Sequence, residues 1–64
     1  MYDLDIFIGN PGAYGTPVTV YVDNQTVMFE HLFYGYNCRE IVSIIREKMR
    51  NRFGVKRFRT KVYK

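Results

Sequence analysis

The chain has 64 residues and a net charge of +4, with ten Lys and Arg residues, six Asp and Glu residues, one cysteine and one histidine. A domain this short buries only about 60% of its unfolded surface, which disfavours an enclosed substrate pocket and therefore an enzyme. With one cysteine and one histidine, neither an internal disulfide nor a standard zinc site can be built, and no cofactor is expected.

The charges are divided unequally along the chain. All ten basic residues lie between Arg39 and Lys64, whereas residues 1–38 carry four acids and no base. This asymmetry indicates either an anionic partner or a fold that pairs the two halves. No stretch approaches the 18 apolar residues of a membrane span, and the N-terminus is too acidic for a signal peptide. Together with the unpaired cysteine, this leads us to expect a cytoplasmic protein that does not bind membranes.

Residues 2–8 predict a half-buried strand, because apolar residues alternate with Asp3, Asp5 and Phe7. In the following loop, residues 10–13 place Pro and Gly where a type II turn needs them. The glycines of residues 9–15 superficially resemble a phosphate-binding loop, but no lysine and no helix follow, so a hairpin loop is predicted. Tyr14 at its tip is a candidate aromatic contact for a partner.

Residues 18–23 alternate as a second strand, and Asp23-Asn24 favours a tight turn into a third run over residues 26–34. A meander is the predicted arrangement, with one long bent strand as the alternative.

The most clearly marked element is a helix that begins at Cys38. Asn37 and Glu40 have the spacing of a capping box, and Gly54 stands where a glycine commonly ends a helix. The apolar residues fall on one broad face. Cys38 lies on that face, so a buried inert thiol is expected rather than a nucleophile paired with His31.

Residues 55–63 alternate again and predict a last strand, with Arg57, Arg59 and Lys61 on one side. The predicted fold is a single α+β domain over residues 1–64, in which one helix packs on a three- or four-stranded, mostly antiparallel sheet, in the order β-β-(β)-α-β. A right-handed crossover would place the last strand parallel to the strand before the helix. With the first strand beside the last, Asp3 and Asp5 could face Arg57 and Arg59.

The cations form two candidate binding surfaces. Arg57, Arg59 and Lys61 could follow a phosphate backbone, with Tyr63 and Phe7 as stacking platforms. The second is a helix stripe that consists of Arg39, Arg46 and Arg50. The alternative interpretation is that the strand cations protect an exposed sheet edge from aggregation and are partly neutralised by acids.

One stretch of sequence resembles a group of very small phage and cyanobacterial-type proteins, in which an aromatic-Gly-Tyr strand end, a polar cap and an acid precede an amphipathic helix. Here the stretch reads Phe33-Tyr34-Gly35-Tyr36-Asn37-Cys38-Arg39-Glu40-Ile41. In size and element order the chain is also similar to the early inhibitors of host RNA polymerase made by T7-like phages. This resemblance implies a function in binding protein rather than in catalysis, and it carries no residue-level roles.

The sequence therefore predicts a non-enzymatic, phage-encoded binding protein that docks on a host nucleic-acid machine such as RNA polymerase or a nuclease and inhibits or redirects it. It would act in the host cytoplasm. The alternative is a module that binds nucleic acid directly through the same residues, and self-association into an oligomer is a third option. The expected binding residues are Arg57, Arg59, Lys61, Arg46, Arg50, Arg39, Tyr63 and Tyr14.

Overall fold

A computed structural model of the protein describes residues 1–64 and contains four strands and one helix: β1 (Tyr2–Ile8), β2 (Thr16–Val22), β3 (Gln25–Phe33), α1 (Cys38–Phe53) and β4 (Phe58–Tyr63). The strands form one sheet in the order β3-β2-β1-β4. β1, β2 and β3 pair as an antiparallel meander, and β4 pairs in parallel with β1. The predicted α+β fold is confirmed, and all four strands are present.

The topology places β4 at the opposite edge of the sheet from β3. Because β3 and β4 both run in the direction of β1, β4 is parallel to the strand before the helix, as predicted. The chain therefore passes over the sheet through α1 and leaves β4 as an edge strand. The edge of β4 that faces away from β1 therefore has no strand beside it.

The meander is closed by a tight turn at the predicted position. Asp23 and Asn24 both have left-handed φ values, 50° and 67°, which is the pattern of a type I′ hairpin turn. The Asp23 carboxylate also accepts a hydrogen bond from the Asp3 amide at 2.8 Å. The β2–β3 turn is thereby tied to the start of β1.

The predicted type II turn at residues 10–13 is wrong. The reversal lies two residues later, where Gly12 and Gly15 exchange backbone hydrogen bonds of 2.9 and 3.2 Å. Gly15 has a φ of 116°, and a Cβ there would lie 2.7 Å from the Phe33 carbonyl oxygen. The position of the turn therefore depends on the close approach of Gly15 to Phe33 at the end of β3, as well as on the local sequence.

α1 begins and ends where the sequence indicates. Both capping-box hydrogen bonds form, from the Glu40 amide to the Asn37 side chain at 2.8 Å and from the Asn37 amide to the Glu40 carboxylate at 3.0 Å. Gly54 closes the helix with a φ of 65°. The helix then places three side chains in the core against the sheet: Ile41, Ile45 and Met49.

The core lies between α1 and one face of the sheet. The buried residues of β1 and β2 come from alternate positions, which follows from the period of two. The sheet contributes Leu4, Ile6, Ile8, Val18, Val20, Val22, Phe33 and Phe58. The other face of the sheet carries no helix and remains open.

The two edge strands differ in regularity. β4 pairs with β1 over six consecutive positions without a shift. β3 shifts register twice against β2, and Glu30 within it has a φ of 45°. These shifts insert extra residues into β3 and bend its outer edge, as β-bulges do.

Candidate anion-binding groove

A groove of about 460 Å³ lies between α1 and the C-terminal end of β4. We call it the α1–β4 groove. Its nine lining residues are Cys38, Arg39, Val42, Ser43, Arg46, Glu47, Arg50, Val62 and Lys64.

The groove concentrates positive charge. Three arginines of α1 and the C-terminal residue Lys64 line it, against one acid, Glu47, so the lining side chains sum to +3. None of these cations takes part in an ion pair, since the one salt bridge of the protein joins Arg59 to Asp3. Cations that have no acidic partner within the protein remain available to an anionic partner.

Helical phase explains why the three arginines come together. Arg39, Arg46 and Arg50 lie within about 40° of one another around the helix at 100° per residue. Val42 borders this stripe on the side of the core, and it contributes the apolar wall of the groove. The stripe inferred from the sequence is therefore one side of a groove whose other side is β4.

One of the two β4 cations on the open sheet face is ion-paired with an acid. Arg59 Nε lies 3.4 Å from Asp3 Oδ1, and Lys61 stands opposite Asp5 in the β1–β4 register. Asp3 and Asp5 thus face Arg59 and Lys61, whereas Arg57 and Arg59 were predicted. One ion pair forms, between Asp3 and Arg59.

The ladder of Arg57, Arg59 and Lys61 is interrupted at its first member. β4 begins at Phe58, three residues later than predicted, so Arg57 lies outside the strand. Arg57 lines a separate shallow pocket with residues that include Tyr2 and Asp23. The three predicted residues therefore do not form one continuous array.

Aromatic side chains cluster on the open sheet face, away from the groove. Phe7 stacks on Tyr63 with a centroid separation of 4.5 Å and meets the Tyr21 ring edge-on at 5.4 Å. No aromatic residue lines the α1–β4 groove. Lys64 connects the two surfaces, because it lines the groove and also a pocket beside Phe7 and Tyr63.

Tyr14 is 83% exposed at the tip of the Gly12–Gly15 turn, as the sequence indicated. It does not line the α1–β4 groove. The predicted binding residues thus divide into the groove (Arg39, Arg46, Arg50), the sheet face (Arg59, Lys61, Tyr63) and two separate positions (Arg57, Tyr14).

Cys38 and His31 occupy separate places. Cys38 packs against the core but is only partly buried and lines the groove, whereas a buried thiol was expected. His31 lies on β3 and packs edge-on against Phe33 at 4.9 Å.

Sequence reasoning did not identify Val62 and Lys64 as part of the site. Val62 alternates with the cations and so was assigned to the apolar side of the last strand; that side proves to be partly exposed because β4 is at the edge. Identifying Val62 and Lys64 requires the position of β4 at the edge of the sheet, and the periodicity of the sequence does not give that position.

No three or more His, Cys, Asp and Glu side chains gather as a potential metal site. The single helix, with 16 residues, is too short and too polar to cross a membrane. Comparison with protein-family models, with curated proteins and with solved structures finds no significant match.

Proposed function

We propose that this protein is a small non-enzymatic binding protein that recognises an acidic surface of a partner protein through the α1–β4 groove. The observation that carries this proposal is the gathering of four cations without an ion pair in one groove, while on the sheet face Arg59 is ion-paired with Asp3 and Lys61 stands opposite Asp5. In line with the resemblance to phage inhibitors, we propose that the partner belongs to a host nucleic-acid machine, RNA polymerase or a nuclease, which the protein inhibits or redirects.

The separation of cations from aromatic rings favours a protein partner. Proteins that bind single-stranded nucleic acid combine a positive groove with aromatic rings on which bases stack. Here the rings of Phe7, Tyr21 and Tyr63 lie on the sheet face, whereas the three groove arginines lie on α1. An acidic protein surface needs the cations only.

Direct nucleic-acid binding is the second candidate function, and the position of Lys64 is the observation that favours it. Because Lys64 lines both the groove and the pocket beside Phe7 and Tyr63, a single strand could cross from the stacked rings to the arginines. Such binding would weaken log-linearly with salt, with a slope near −0.7 per phosphate contact for a single strand.

The deciding experiment is affinity capture from a nuclease-treated bacterial lysate with two variants of equal charge. The groove variant carries Arg46→Glu and Arg50→Glu, and the control carries Lys48→Glu and Lys56→Glu, two exposed cations that do not line the groove. We expect the wild type and the control to retain the same partner and the groove variant to lose it.

Two results would overturn this proposal. Retention of the same partner by a folded groove variant would show that the groove is not the binding site. Loss of all captured protein after nuclease treatment, together with binding of purified protein to a single-stranded oligonucleotide, would establish the second candidate instead. An amide NMR spectrum of each variant shows whether it is folded.

A further inference from the structure

We propose that the acidic segment of the partner binds as an additional β-strand along the free edge of β4 and places its carboxylates in the α1–β4 groove. This inference rests on the proposed function and specifies how the groove is occupied. It follows from the sheet order, from the difference between the two sheet edges, and from the spacing of the groove arginines.

The first argument is that β4 offers a regular row of unused backbone groups. It pairs with β1 on one side only, from Tyr2↔Phe58 to Phe7↔Tyr63, and no strand lies on its other side. An exposed strand edge of this kind is a template for β-strand addition, in which main-chain hydrogen bonds supply affinity and side-chain pockets supply specificity.

The second argument is that the opposite edge is unsuited to the same use. β3 shifts register against β2 on both sides of Val20, and Glu30 has a left-handed φ. Its backbone groups therefore do not form one evenly spaced row. A strand with regular geometry matches β4 and does not match β3.

The third argument is the position and spacing of the cations. A strand added about 4.8 Å beyond β4 would lie below the side of α1 that carries Arg46 and Arg50. These arginines are one helical turn apart, about 6 Å along the axis, and alternate residues of a strand are about 6.6 Å apart. Acids at positions i and i+2 of the added strand can therefore meet the two arginines.

Charge also decides what the added strand is. A second copy pairing through its own β4 would bring Lys61, Lys64 and the groove arginines against the same cations of the first copy, and like charges on paired strands are destabilising. A nucleic acid has no regular row of amide groups to pair with the edge. The occupant that fits is an extended peptide segment with acids at alternate positions.

The test uses the intact protein and a probe peptide of about nine residues that alternates Glu and Thr and has blocked ends, long enough to span β4. Two control peptides have the same sequence with methyl groups on alternate backbone nitrogens, one methylated at the odd positions and the other at the even positions; these are the two N-methylated frames. A third control peptide alternates Lys and Thr. Binding is followed by NMR titration, by amide hydrogen exchange and by nuclear Overhauser contacts between peptide and protein backbones.

We expect the Glu-Thr peptide to bind and to slow exchange at alternate amides of β4 while β3 amides stay unchanged. One N-methylated frame should bind at least tenfold more weakly, because it lacks the donors that face β4, and the Lys-Thr peptide should not bind. The groove variant with Arg46→Glu and Arg50→Glu should also bind the Glu-Thr peptide at least tenfold more weakly.

Equal binding by both N-methylated frames would overturn the strand-addition mode, as would contacts on β3 or absence of binding by the Glu-Thr peptide. Self-association through β4 in ultracentrifugation, or protection of β4 amides by a single-stranded oligonucleotide, would overturn the choice of an acidic peptide. If any of these results is obtained while the wild type, but not the groove variant, still captures a lysate protein, then strand addition is rejected and the proposed function stands. If the groove variant still captures that protein, the proposed function fails.

Discussion

Phe7 and Tyr63 stack directly across the parallel β1–β4 pair, with ring centroids 4.5 Å apart and ring planes 11° apart. The two residues are 43% and 42% exposed, so each ring shields part of the other from water. Since β4 pairs with β1 only, this stack fastens the last residue of β4 to the one strand beside it.

We expect a double-mutant cycle with Phe7→Leu and Tyr63→Leu to give a coupling energy of about 0.5–1.5 kcal/mol, because aromatic pairs contribute this much beyond area burial. Urea unfolding of the four proteins measures it. The control cycle pairs Phe7→Leu with Tyr34→Leu, a highly exposed ring outside the stack. The control coupling should stay below about 0.5 kcal/mol, and an equal coupling in both cycles would contradict the proposed role of the stack.

The Asp3–Arg59 ion pair should contribute little to stability. Its side chains are 51% and 66% exposed at a separation of 3.4 Å, and exposed pairs typically contribute about 0–1 kcal/mol. Asp3→Asn should therefore lower the free energy of unfolding by less than about 1 kcal/mol, with a smaller effect in 1 M salt, where the Debye length falls to about 3 Å. Chemical denaturation at low and high salt measures both. A larger loss that does not change with salt would mean that Asp3 acts through something other than this pair.

Gly15 should tolerate no side chain. Its φ of 116° is strained for any other residue, and an added Cβ would lie 2.7 Å from the Phe33 carbonyl oxygen. We expect Gly15→Ala to cost at least about 1–3 kcal/mol, the range for a residue forced into a sparsely populated backbone region. Thermal or urea unfolding gives the value. The matched control is Gly12→Ala at the other end of the same turn, where the nearest atom to a new Cβ is at 3.8 Å. It should change stability by no more than about 0.5 kcal/mol, and similar costs at both positions would refute the steric argument.

The Asn37 cap should be worth about 1 kcal/mol to the protein, since removal of an N-cap acceptor leaves an amide of the first turn without its partner. Asn37→Ala measures this in urea unfolding, with Asn37→Asp as a replacement that keeps the acceptor and so should retain most of the stability. Asn51→Ala, an exposed position in the last turn of α1, is the control for helix propensity and should not destabilise the protein. If Asn37→Ala proved as mild as Asn51→Ala, the capping bond would contribute nothing.

Features that depend on neighbours in sequence could be predicted from the sequence. The capping box of Asn37 and Glu40 and the closing Gly54 define α1 through contacts within four residues, and the Asp23-Asn24 turn is equally local. Alternation in β1 identified the buried face because a strand has a period of two. The helix stripe of arginines followed from the same kind of reasoning.

Features that depend on the placement of whole elements could not be predicted. The register that sets Asp3 opposite Arg59, and the edge position that exposes Val62, are decided by how β4 docks beside β1. Periodicity assigns a residue to a face of its own strand but does not say what lies beyond that strand. The groove was missed for this reason, although three of its cations were identified. The Gly12–Gly15 turn was placed two residues too early because Gly15 packs closely against Phe33, which is distant in sequence.

The irregular course of β3 has a consequence for the size of the assemblies that this chain can enter. A sheet that accepts strands at both edges can be continued from molecule to molecule into a fibre. Here the register shifts and the turned backbone at Glu30 disrupt one edge, so growth from that side is blocked. We therefore expect a complex formed along β4 to be finite, with one partner strand per chain, because of an irregularity in the strand that lies farthest from the contact.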